Sequence, residues 1–268
     1  MCRMVAYLGG SEATLSSVVL EPEHSLLVQS YAPKEMISGV VNADGFGAGW
    51  YAPWSGDEPA VYRSEGPLWS DRSFAGIAPR IRSHNILAAV RSATPGLPVE
   101  ESGVPPFSSG PYLFAHNGAI EGFRHTAMRP LRDALSDASY SKLLGVTDSE
   151  TIFAFLLDRL RDAKSSPGDS GTLAEATAET VQLVSTLCAE LGIYASLNLG
   201  VTDGEAMAFS RYSTEGAGNS LYFVEGGEAF PDAVVVASEH LDGDAGWRQV
   251  PDRHLLMVDP KGATTLPL

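Results

Sequence analysis

Two helical blocks interrupt a long series of strand-like segments, and this order constrains the fold more than any other feature of the sequence. Short runs of β-forming residues, ended by Gly, Pro, Asp or Asn, cover residues 4–8, 46–51, 86–91, 112–115, 195–201, 206–209, 221–224, 234–237 and 255–258. Apolar residues recur at helical spacing over residues 149–162 and 172–191. Strands that precede and follow the helices, without regular alternation of the two, indicate an α+β fold with two packed sheets.

The segments between these elements predict a single domain. Shorter helices are expected around residues 24–31, 72–83 and 126–136, and Thr147 with Glu150 forms a capping-box pattern that opens the 149–162 helix. Segments rich in Pro, Gly, Ser or Asp predict loops, which cover residues 53–59, 94–111, 164–171 and 213–219. Because none of these loops is long or polar enough to separate two units, we expect one domain over residues 2–268.

The charge of the chain and its short apolar runs limit the partners. The sequence has 18 Lys and Arg against 33 Asp and Glu, a formal net charge of −15. A surface this acidic repels phosphate backbones, so we expect no nucleic-acid partner. No apolar run approaches the roughly 18–20 residues that cross a bilayer, and two cysteines cannot form a dense disulfide framework. The sequence therefore predicts a cytoplasmic protein without a membrane partner.

Motifs for metals and nucleotide cofactors are absent from the sequence. The six histidines form no i, i+4 pair and there is no Cys-x-x-Cys motif, so no metal site is predicted. The glycine-rich segment at residues 45–49 lacks the third glycine of a dinucleotide-binding loop and leads into a predicted strand instead of a helix. We therefore expect no cofactor.

Cys2 is the single residue whose type and position most clearly indicate a chemical role. One interpretation is a small buried hydrophobic residue at the start of a strand. The other is a nucleophile, because removal of Met1 would give Cys2 a free α-amine that titrates near neutral pH. One residue would then carry both the thiol and its general base. Cys188 lies on the apolar face of the 172–191 helix and is predicted to be inert core.

Four further motifs follow Cys2 in an order that is similar to a known family. They are Asn42-Ala43-Asp44-Gly45-Phe46-Gly47, Val90-Arg91-Ser92-Ala93-Thr94-Pro95-Gly96, Phe114-Ala115-His116-Asn117-Gly118-Ala119-Ile120 and Thr147-Asp148-Ser149-Glu150. Together with Cys2, this series resembles the class II glutamine amidotransferase group of N-terminal-nucleophile (Ntn) hydrolases. The resemblance implies an αββα sandwich, in which two antiparallel-type sheets pack between helical layers.

The resemblance also implies a role for each matching residue. Cys2 would be the nucleophile, and Asn117 and Gly118 would form the oxyanion hole. Arg91 would bind the α-carboxylate of a γ-glutamyl substrate, and Asp148 would bind its α-ammonium. The residue types suit these roles, because arginine holds a carboxylate with two parallel hydrogen bonds and amide N–H groups stabilise a developing oxyanion.

Each of these residues has an interpretation without catalysis. Arg91 fits a surface ion pair, and Asn117-Gly118 is a common β-turn pair. Asp148 suits the first turn of a helix through the helix dipole alone. The resemblance to a series of motifs, and not any single one of them, favours the catalytic interpretation.

Additional segments narrow the resemblance to the stand-alone hydrolase family of ergothioneine biosynthesis, which removes glutamate from γ-glutamyl-hercynylcysteine S-oxide. The segments are residues 42–51 and 91–96, Ser238-Glu239 and Gly246-Trp247-Arg248-Gln249-Val250-Pro251. Two positions depart from related patterns. Pro95 stands where many amidotransferases have histidine, and the segment Val104-Pro105-Pro106-Phe107 lacks the polar residue that is often found just before Pro-Phe. Both departures concern the leaving group and not the γ-glutamyl chemistry.

The leading hypothesis is a γ-glutamyl amide hydrolase that forms a γ-glutamyl thioester on Cys2 and takes a small-molecule substrate. The alternatives are the glutaminase subunit of a glutamine amidotransferase, a hydrolase of glutathione-related γ-glutamyl peptides and a non-catalytic γ-glutamyl-binding protein. An amidotransferase needs an acceptor domain or subunit for ammonia. Because the predicted nucleophile domain takes up all 268 residues of the sequence, we expect water to be the acceptor. Binding alone needs no thiol at Cys2. The sequence leaves the oligomeric state open, a homo-oligomer included.

A trimethylammonium leaving group would favour an aromatic wall, because a ring face attracts a quaternary cation. The candidates, by their proximity to the matching segments, are Trp50, Tyr51, Trp54 and Trp69. Packing in the core or on the surface is the alternative interpretation of these four residues.

Overall fold

The computed structural model describes residues 2–37, 39–52, 56–94 and 98–268. Its strands are β1 (Arg3–Thr14), β2 (Phe46–Trp50), β3 (Ala60–Ser64), β4 (Arg82–Val90), β5 (Phe107–Ser109), β6 (Tyr112–Ile120), β7 (Ala195–Thr202), β8 (Met207–Arg211), β9 (Tyr222–Glu225), β10 (Ala233–Ala237), β11 (Arg248–Gln249), β12 (His254–Asp259) and β13 (Gly262–Pro267). Its α-helices are α1 (Leu15–Val19), α2 (Leu26–Tyr31), α3 (Arg72–Ile77), α4 (Met128–Asp133), α5 (Asp137–Tyr140), α6 (Asp148–Asp162) and α7 (Ser170–Leu191).

The strands form two sheets in which neighbouring strands run antiparallel. The larger sheet has the order β11-β9-β10-β1-β4-β2-β3, and the smaller has the order β13-β12-β8-β7-β6-β5. In the larger sheet β1 lies between β10 and β4, so the amino terminus of the chain starts a central strand. In the smaller sheet β6 pairs with β7 over the whole length of β7.

The alternation of side chains along β1 shows how the layers form, because successive residues of a strand point to opposite faces. Met4 and Ala6 pack into the core between the two sheets. Val5 and Tyr7 point to the other face and join the core beneath α1, α2 and α3. A third core lies between the smaller sheet and the helices α6 and α7. The order of layers is helix, sheet, sheet, helix, which confirms the predicted α+β fold and αββα sandwich.

The start of α6 differs in one detail from the predicted capping box. Thr147 Oγ1 accepts a hydrogen bond from the Glu150 backbone N–H at 3.2 Å, as expected for the N-cap. The Glu150 carboxylate accepts instead from the backbone N–H groups of Leu144 and Gly145, at 2.6 and 2.9 Å. Glu150 therefore closes the turn before the helix, and only half of the capping box is present.

The nine predicted strands and the two long helices are confirmed, and the errors lie in the shorter elements. The helix predicted at 72–83 is wrong beyond Arg80: α3 ends at Ile77, a 3₁₀ turn follows, and β4 begins at Arg82. Pro79 explains this end, because its ring cannot continue an α-helix. The helix predicted at 24–31 begins at Leu26, and α4 is shorter than the predicted 126–136. The predicted loop at 94–111 contains β5.

Candidate active site

Antiparallel pairing brings Cys2 close to Arg91. Arg3, the first residue of β1, pairs with Val90, the last residue of β4. Cys2 precedes the first of these residues and Arg91 follows the second, so both lie at the same end of the larger sheet. Cys2 is half-buried, and Arg91 is buried with 4 % of its surface exposed.

Asp148 reaches the same place from the first turn of α6. Its Oδ2 accepts a hydrogen bond from the backbone N–H of Ile120 at 2.9 Å, and its Oδ1 accepts from Ser149 N–H at 2.8 Å. Ile120 ends β6, so the first of these bonds ties the start of α6 to the end of that strand. The position also puts the carboxylate at the positive end of the helix dipole.

Four of the five predicted site residues line one cavity: Cys2, Arg91, Gly118 and Asp148. The rest of its lining consists of Ser92, Thr94, Gly103, Pro105, Phe107, His116, Thr147 and Ser149. Its volume is about 30 Å³, so the cavity is a narrow cleft at Cys2.

Arg91 has unused hydrogen-bonding capacity in this cleft. Its Nη2 donates to the Pro98 carbonyl at 3.2 Å, while its buried Nη1 has no hydrogen-bond partner within the described residues. No carboxylate pairs with this guanidinium in the described part of the chain. The backbone at Gly103 packs against it so closely that a Cβ atom there would lie 2.8 Å from Nη2. A buried arginine with a free donor is poised to take a carboxylate from a ligand.

Asn117 is the fifth predicted residue, and its side chain lies on the face of β6 that points between the sheets. Leu113 and Ala115, which share that face, belong to the core between the sheets. Asn117 is fully buried, and its Nδ2 donates to Ser238 Oγ at 3.3 Å. The same hydroxyl accepts a hydrogen bond from Met4 N–H at 3.0 Å, so the amide is connected to β1 two residues from Cys2.

Asn117 and Gly118 lie inside β6 and not in a turn, so the interpretation as a hairpin turn is wrong. Gly118 lies opposite Leu197 of β7, and a Cβ atom at Gly118 would collide with the carbonyl oxygen of Ser196 and with His116 Nε2. Only glycine fits at this position. Its backbone can therefore line the cleft without a side chain in front of it.

Sequence analysis missed two groups of residues around the cleft. His116 lines it and is held on both sides, by Ser149 Oγ at 3.1 Å from Nδ1 and by the Ser196 carbonyl at 2.9 Å from Nε2. Because a carbonyl oxygen can only accept, Nε2 donates to it, and the two contacts together fix the orientation of the ring. The second group is the buried ion pair of Arg3 and Glu239. The segment Ser238-Glu239 contributes to the resemblance, but the sequence alone indicates no role for it.

Cys188 is fully buried, as predicted for a core residue. Burial raises the pKa of its thiol to about 11, with a smaller contribution from the negative charge of Asp148. A thiol with this pKa is almost entirely protonated near neutral pH and is a poor nucleophile. The two cysteines therefore differ in accessibility: Cys2 opens onto the cleft and Cys188 does not.

Of the four aromatic residues considered as a wall for the leaving group, the three that the structure describes, Trp50, Tyr51 and Trp69, do not line the cleft. Trp50 packs against the core beneath α1 to α3. Tyr51 is bonded through its hydroxyl to the carbonyls of Pro111 and Thr202, at 2.7 and 3.0 Å. Trp69 packs edge-on against Tyr31. Trp54 and Pro95 lie outside the described residues, and Val104 is buried beside Gly45.

The described residues contain neither a metal-binding cluster nor a membrane-spanning helix. No group of three or more His, Cys, Asp or Glu side chains is arranged to hold a metal ion in the part of the chain that the structure describes. Among the same residues, no helix is both long enough and apolar enough to cross a membrane.

Comparisons with known proteins show the family and the fold of the chain. The model of the class II glutamine amidotransferase family matches residues 20–266, and the chain belongs to this family. The chain is 38 % identical over 264 residues to the γ-glutamyl-hercynylcysteine sulfoxide hydrolase of Mycobacterium tuberculosis, covering 98 % of this chain and 95 % of that protein. It is 37 % identical to the protein of the same name from Mycolicibacterium smegmatis, over the full length of both. A probable glutamine amidotransferase of Saccharomyces cerevisiae is 29 % identical over 96 % of this chain and 82 % of that protein.

Solved structures share the fold at lower sequence identity. A glutamine aminotransferase class-II domain protein from Silicibacter pomeroyi superimposes with a TM-score of 0.69 at 23 % identity, covering 100 % of this chain and 99 % of that one. The glutamine phosphoribosylpyrophosphate amidotransferase of B. subtilis superimposes with a TM-score of 0.65 at 15 % identity, covering 99 % of this chain and 49 % of the other. The sandwich of two sheets is therefore the fold of this family.

Proposed function

We propose that the protein hydrolyses the γ-glutamyl amide bond of γ-glutamyl-hercynylcysteine sulfoxide, releasing glutamate and hercynylcysteine sulfoxide in ergothioneine biosynthesis. The observation that carries the proposal is the cleft in which Cys2, Arg91, Gly118 and Asp148 meet. The relatives with 37–38 % identity over nearly their whole length support this choice of substrate. Residues 2–268 act as one domain in this proposal, and no cofactor takes part.

The reaction begins at Cys2 once Met1 has been removed. The α-amine takes the proton of the thiol, and Sγ attacks the γ-carbonyl carbon of the substrate. The C–N bond then breaks, and the proton passes from the α-ammonium to the leaving nitrogen. A water molecule hydrolyses the γ-glutamyl thioester, which releases glutamate and restores the thiol.

Recognition of the glutamyl end depends on the two charged residues of the cleft. The substrate α-carboxylate takes the free Nη1 of Arg91 and replaces the Pro98 carbonyl at Nη2, which gives a bidentate pair. Asp148 accepts hydrogen bonds from two backbone N–H groups and keeps lone pairs for the substrate α-ammonium. Together these contacts fix the distance from the α-carbon to Cys2 Sγ.

The oxyanion is stabilised by the backbone N–H of Gly118 and the side-chain amide of Asn117. The Asn117 amide has two N–H bonds, and Ser238 accepts one of them. The second can point toward the oxyanion that forms when Sγ attacks. Donors fixed in this way act on the charge that develops in the transition state, and each contributes on the order of 10²–10³ in rate.

A second candidate function is the glutaminase part of a glutamine amidotransferase, which the 29 % identity to the probable yeast amidotransferase supports. Arg91 and Asp148 would hold the glutamyl end of glutamine in the same way. The two functions differ on the side of the leaving group, which is ammonia for glutamine and a large zwitterion for the sulfoxide. A hydrolase of glutathione-related γ-glutamyl peptides would release a leaving group of a third kind, a peptide or amino acid.

The partners in this proposal are small molecules, in keeping with the net charge of −15. Both cysteines are free in the structure, and a free thiol nucleophile suits the reducing cytoplasm. We therefore place the activity in the cytoplasm and propose no nucleic-acid partner.

Glutamate release from the sulfoxide and from glutamine, at matched concentration and with or without cell extract, tests the proposal. We expect the purified protein alone to act on the sulfoxide far faster, because only that substrate can use contacts on the leaving-group side to lower the barrier. Cys2→Ala should abolish release, and Cys188→Ala, the matched control, should retain it. Equal rates on both substrates, or activity that requires the extract, would favour the amidotransferase.

A further inference from the structure

Cys2 stands outside the hydrogen-bonded ladder of the larger sheet. The paired residues of β1 and β4 begin with Arg3 and Val90. Pairing between strands therefore fixes the chain from Arg3 onward, and the peptide plane between Cys2 and Arg3 needs another restraint. The orientation of this plane sets the position of the Cys2 Cα atom, from which both the thiol and the α-amine branch.

The guanidinium of Arg3 supplies such a restraint. Its Nη1 donates to the carbonyl oxygen of Cys2 at 3.0 Å, and its Nε donates to Glu239 Oε1, also at 3.0 Å. The side chain of Arg3 is fully buried. One planar group therefore spans the nucleophilic residue and a buried carboxylate, and lysine, with a single nitrogen, cannot reproduce this geometry.

Glu239 is itself fixed by three other groups. Its Oε2 lies 2.7 Å from His24 Nε2 and accepts from Lys34 N–H at 2.8 Å, while Oε1 accepts from Glu35 N–H at 3.0 Å. We call Arg3, His24 and Glu239 the Glu239 cluster. With the backbone of residues 34 and 35, it joins four separate parts of the chain, and each carboxylate oxygen of Glu239 accepts two hydrogen bonds.

Arg3 and Glu239 keep their charges near neutral pH although both side chains are buried. Burial acts to raise the pKa of Glu239, but hydrogen bonds from His24 and from the backbone at residues 34 and 35, with the charge of Arg3, hold it below its usual value. Burial lowers the pKa of Arg3, an effect that Glu239 and then Cys2 oppose. The carboxylate is therefore ionised near neutral pH, and a guanidinium stays protonated in proteins.

We propose that Arg3 and Glu239 are positioning residues for the Cys2 nucleophile. Glu239 fixes the plane of the Arg3 guanidinium, and Arg3 fixes the Cys2 carbonyl and with it the position of the Cα atom that carries the thiol and the α-amine. Neither side chain lines the cleft, so neither touches the substrate. The inference rests on the proposed role of Cys2, and it predicts an effect on the chemical step without an effect on binding.

Steady-state kinetics of Arg3→Lys and Glu239→Gln test this inference. We expect kcat for glutamate release to fall about 10- to 100-fold, the size of effect that a misplacement of about 1 Å produces. KM should stay within about twofold, because Arg91 and Asp148 are unchanged. Arg248→Lys and Glu225→Gln are the matched controls: they alter an exposed ion pair with a separation of 3.2 Å, and they should change neither constant.

A second measurement does not depend on the substrate. The rate at which iodoacetamide alkylates Cys2 in the native protein should fall in both variants, whether or not the sulfoxide is the true substrate. Intact mass must show loss of Met1 in each variant, so that failed processing is not mistaken for poor positioning. If Arg3→Lys does not fold, Glu239→Gln, which keeps the shape of the side chain, carries the test. Unchanged kcat and alkylation in a folded, processed variant would overturn the inference, and so would a change confined to KM.

Discussion

Two buried arginines lie at the same end of neighbouring strands, and their surroundings differ. Arg3 opens β1 and is paired with Glu239, with Nε and Oε1 at 3.0 Å. Arg91 follows β4 and has no carboxylate partner in the described part of the chain. Each guanidinium has one buried nitrogen without a hydrogen bond, Nη2 of Arg3 and Nη1 of Arg91, so the difference lies in the ion pair. The first arginine is neutralised by the protein, and the second retains an unneutralised charge beside the cleft.

In the proposed function, this difference distinguishes an arginine that supports the nucleophile, Arg3, from one that recognises the substrate, Arg91. An uncompensated buried charge is unfavourable, so a protein keeps one where a ligand neutralises it. In the proposed function, Arg91 and Asp148 therefore form a recognition region that the substrate completes. Arg3 belongs to the Glu239 cluster, in which Glu239 neutralises its charge without a ligand, and the proposed role of this cluster is to hold Cys2.

The largest expected effect is on stability, and it contrasts the two arginines directly. Arg3→Met leaves the Glu239 carboxylate buried without its cation, which should lower the free energy of unfolding by about 3–5 kcal/mol. Arg91→Met removes a charge that no carboxylate in the described residues neutralises, so we expect a change below about 1 kcal/mol. Urea denaturation of both variants near neutral pH measures the difference.

A matched control for this comparison is Arg248→Met, which breaks the exposed ion pair with Glu225. Exposed pairs contribute about 0–1 kcal/mol, so this variant should resemble the wild type. Similar losses for Arg3→Met and Arg91→Met would contradict the distinction, because Arg91 would then have a structural role like that of Arg3.

The next expected effect is on the chemical step at Asn117, which lies where the two regions meet. Asn117→Ala removes one of the two proposed donors to the oxyanion and should lower kcat by about 10²–10³, with KM near the wild-type value. The reason is that this hydrogen bond strengthens when charge develops on the substrate oxygen. Steady-state kinetics of glutamate release measure both constants.

Arg91→Lys provides the contrast to Asn117→Ala. It keeps the positive charge and loses one of two parallel hydrogen bonds to the α-carboxylate, so binding and turnover should weaken together. Since a hydrogen bond to a charged group contributes about 1.5–3 kcal/mol, kcat/KM should fall about 10- to 100-fold. If both variants changed KM and kcat in the same proportions, the proposed division between recognition and catalysis would be wrong.

The sequence predicted the central strands and missed the edges. The four strands that were not predicted, β3, β5, β11 and β13, are the edge strands of the two sheets. Edge strands are short or exposed on more than one side, so they lack the regular apolar pattern that identifies a strand. β13, for example, is exposed over most of its length.

The same reasoning explains which parts of the site could be predicted. Arg91, Asn117-Gly118 and Asp148 occur in compact motifs that resemble a family, and Cys2 is conspicuous by its position. Arg3 and Glu239 are 236 residues apart and meet only through the pairing of β1 with β10. Contacts of this kind depend on the arrangement of the strands in the sheet, which local patterns do not specify.

The smallest expected effect concerns Ser238, which connects Asn117 to β1. Ser238→Ala removes the acceptor shared by Met4 N–H and Asn117 Nδ2, and kcat should fall about threefold to tenfold, equivalent to roughly 1 kcal/mol. Ser210→Ala is the matched control, because Ser210 is also fully buried and bonded to two backbone groups, those of Leu199 and Leu197. Both variants should lose similar stability in urea, since each leaves buried polar groups unsatisfied. Only Ser238→Ala should lose turnover as well; an equal loss of kcat in Ser210→Ala would mean that general loosening of the core, and not the orientation of Asn117, limits the reaction.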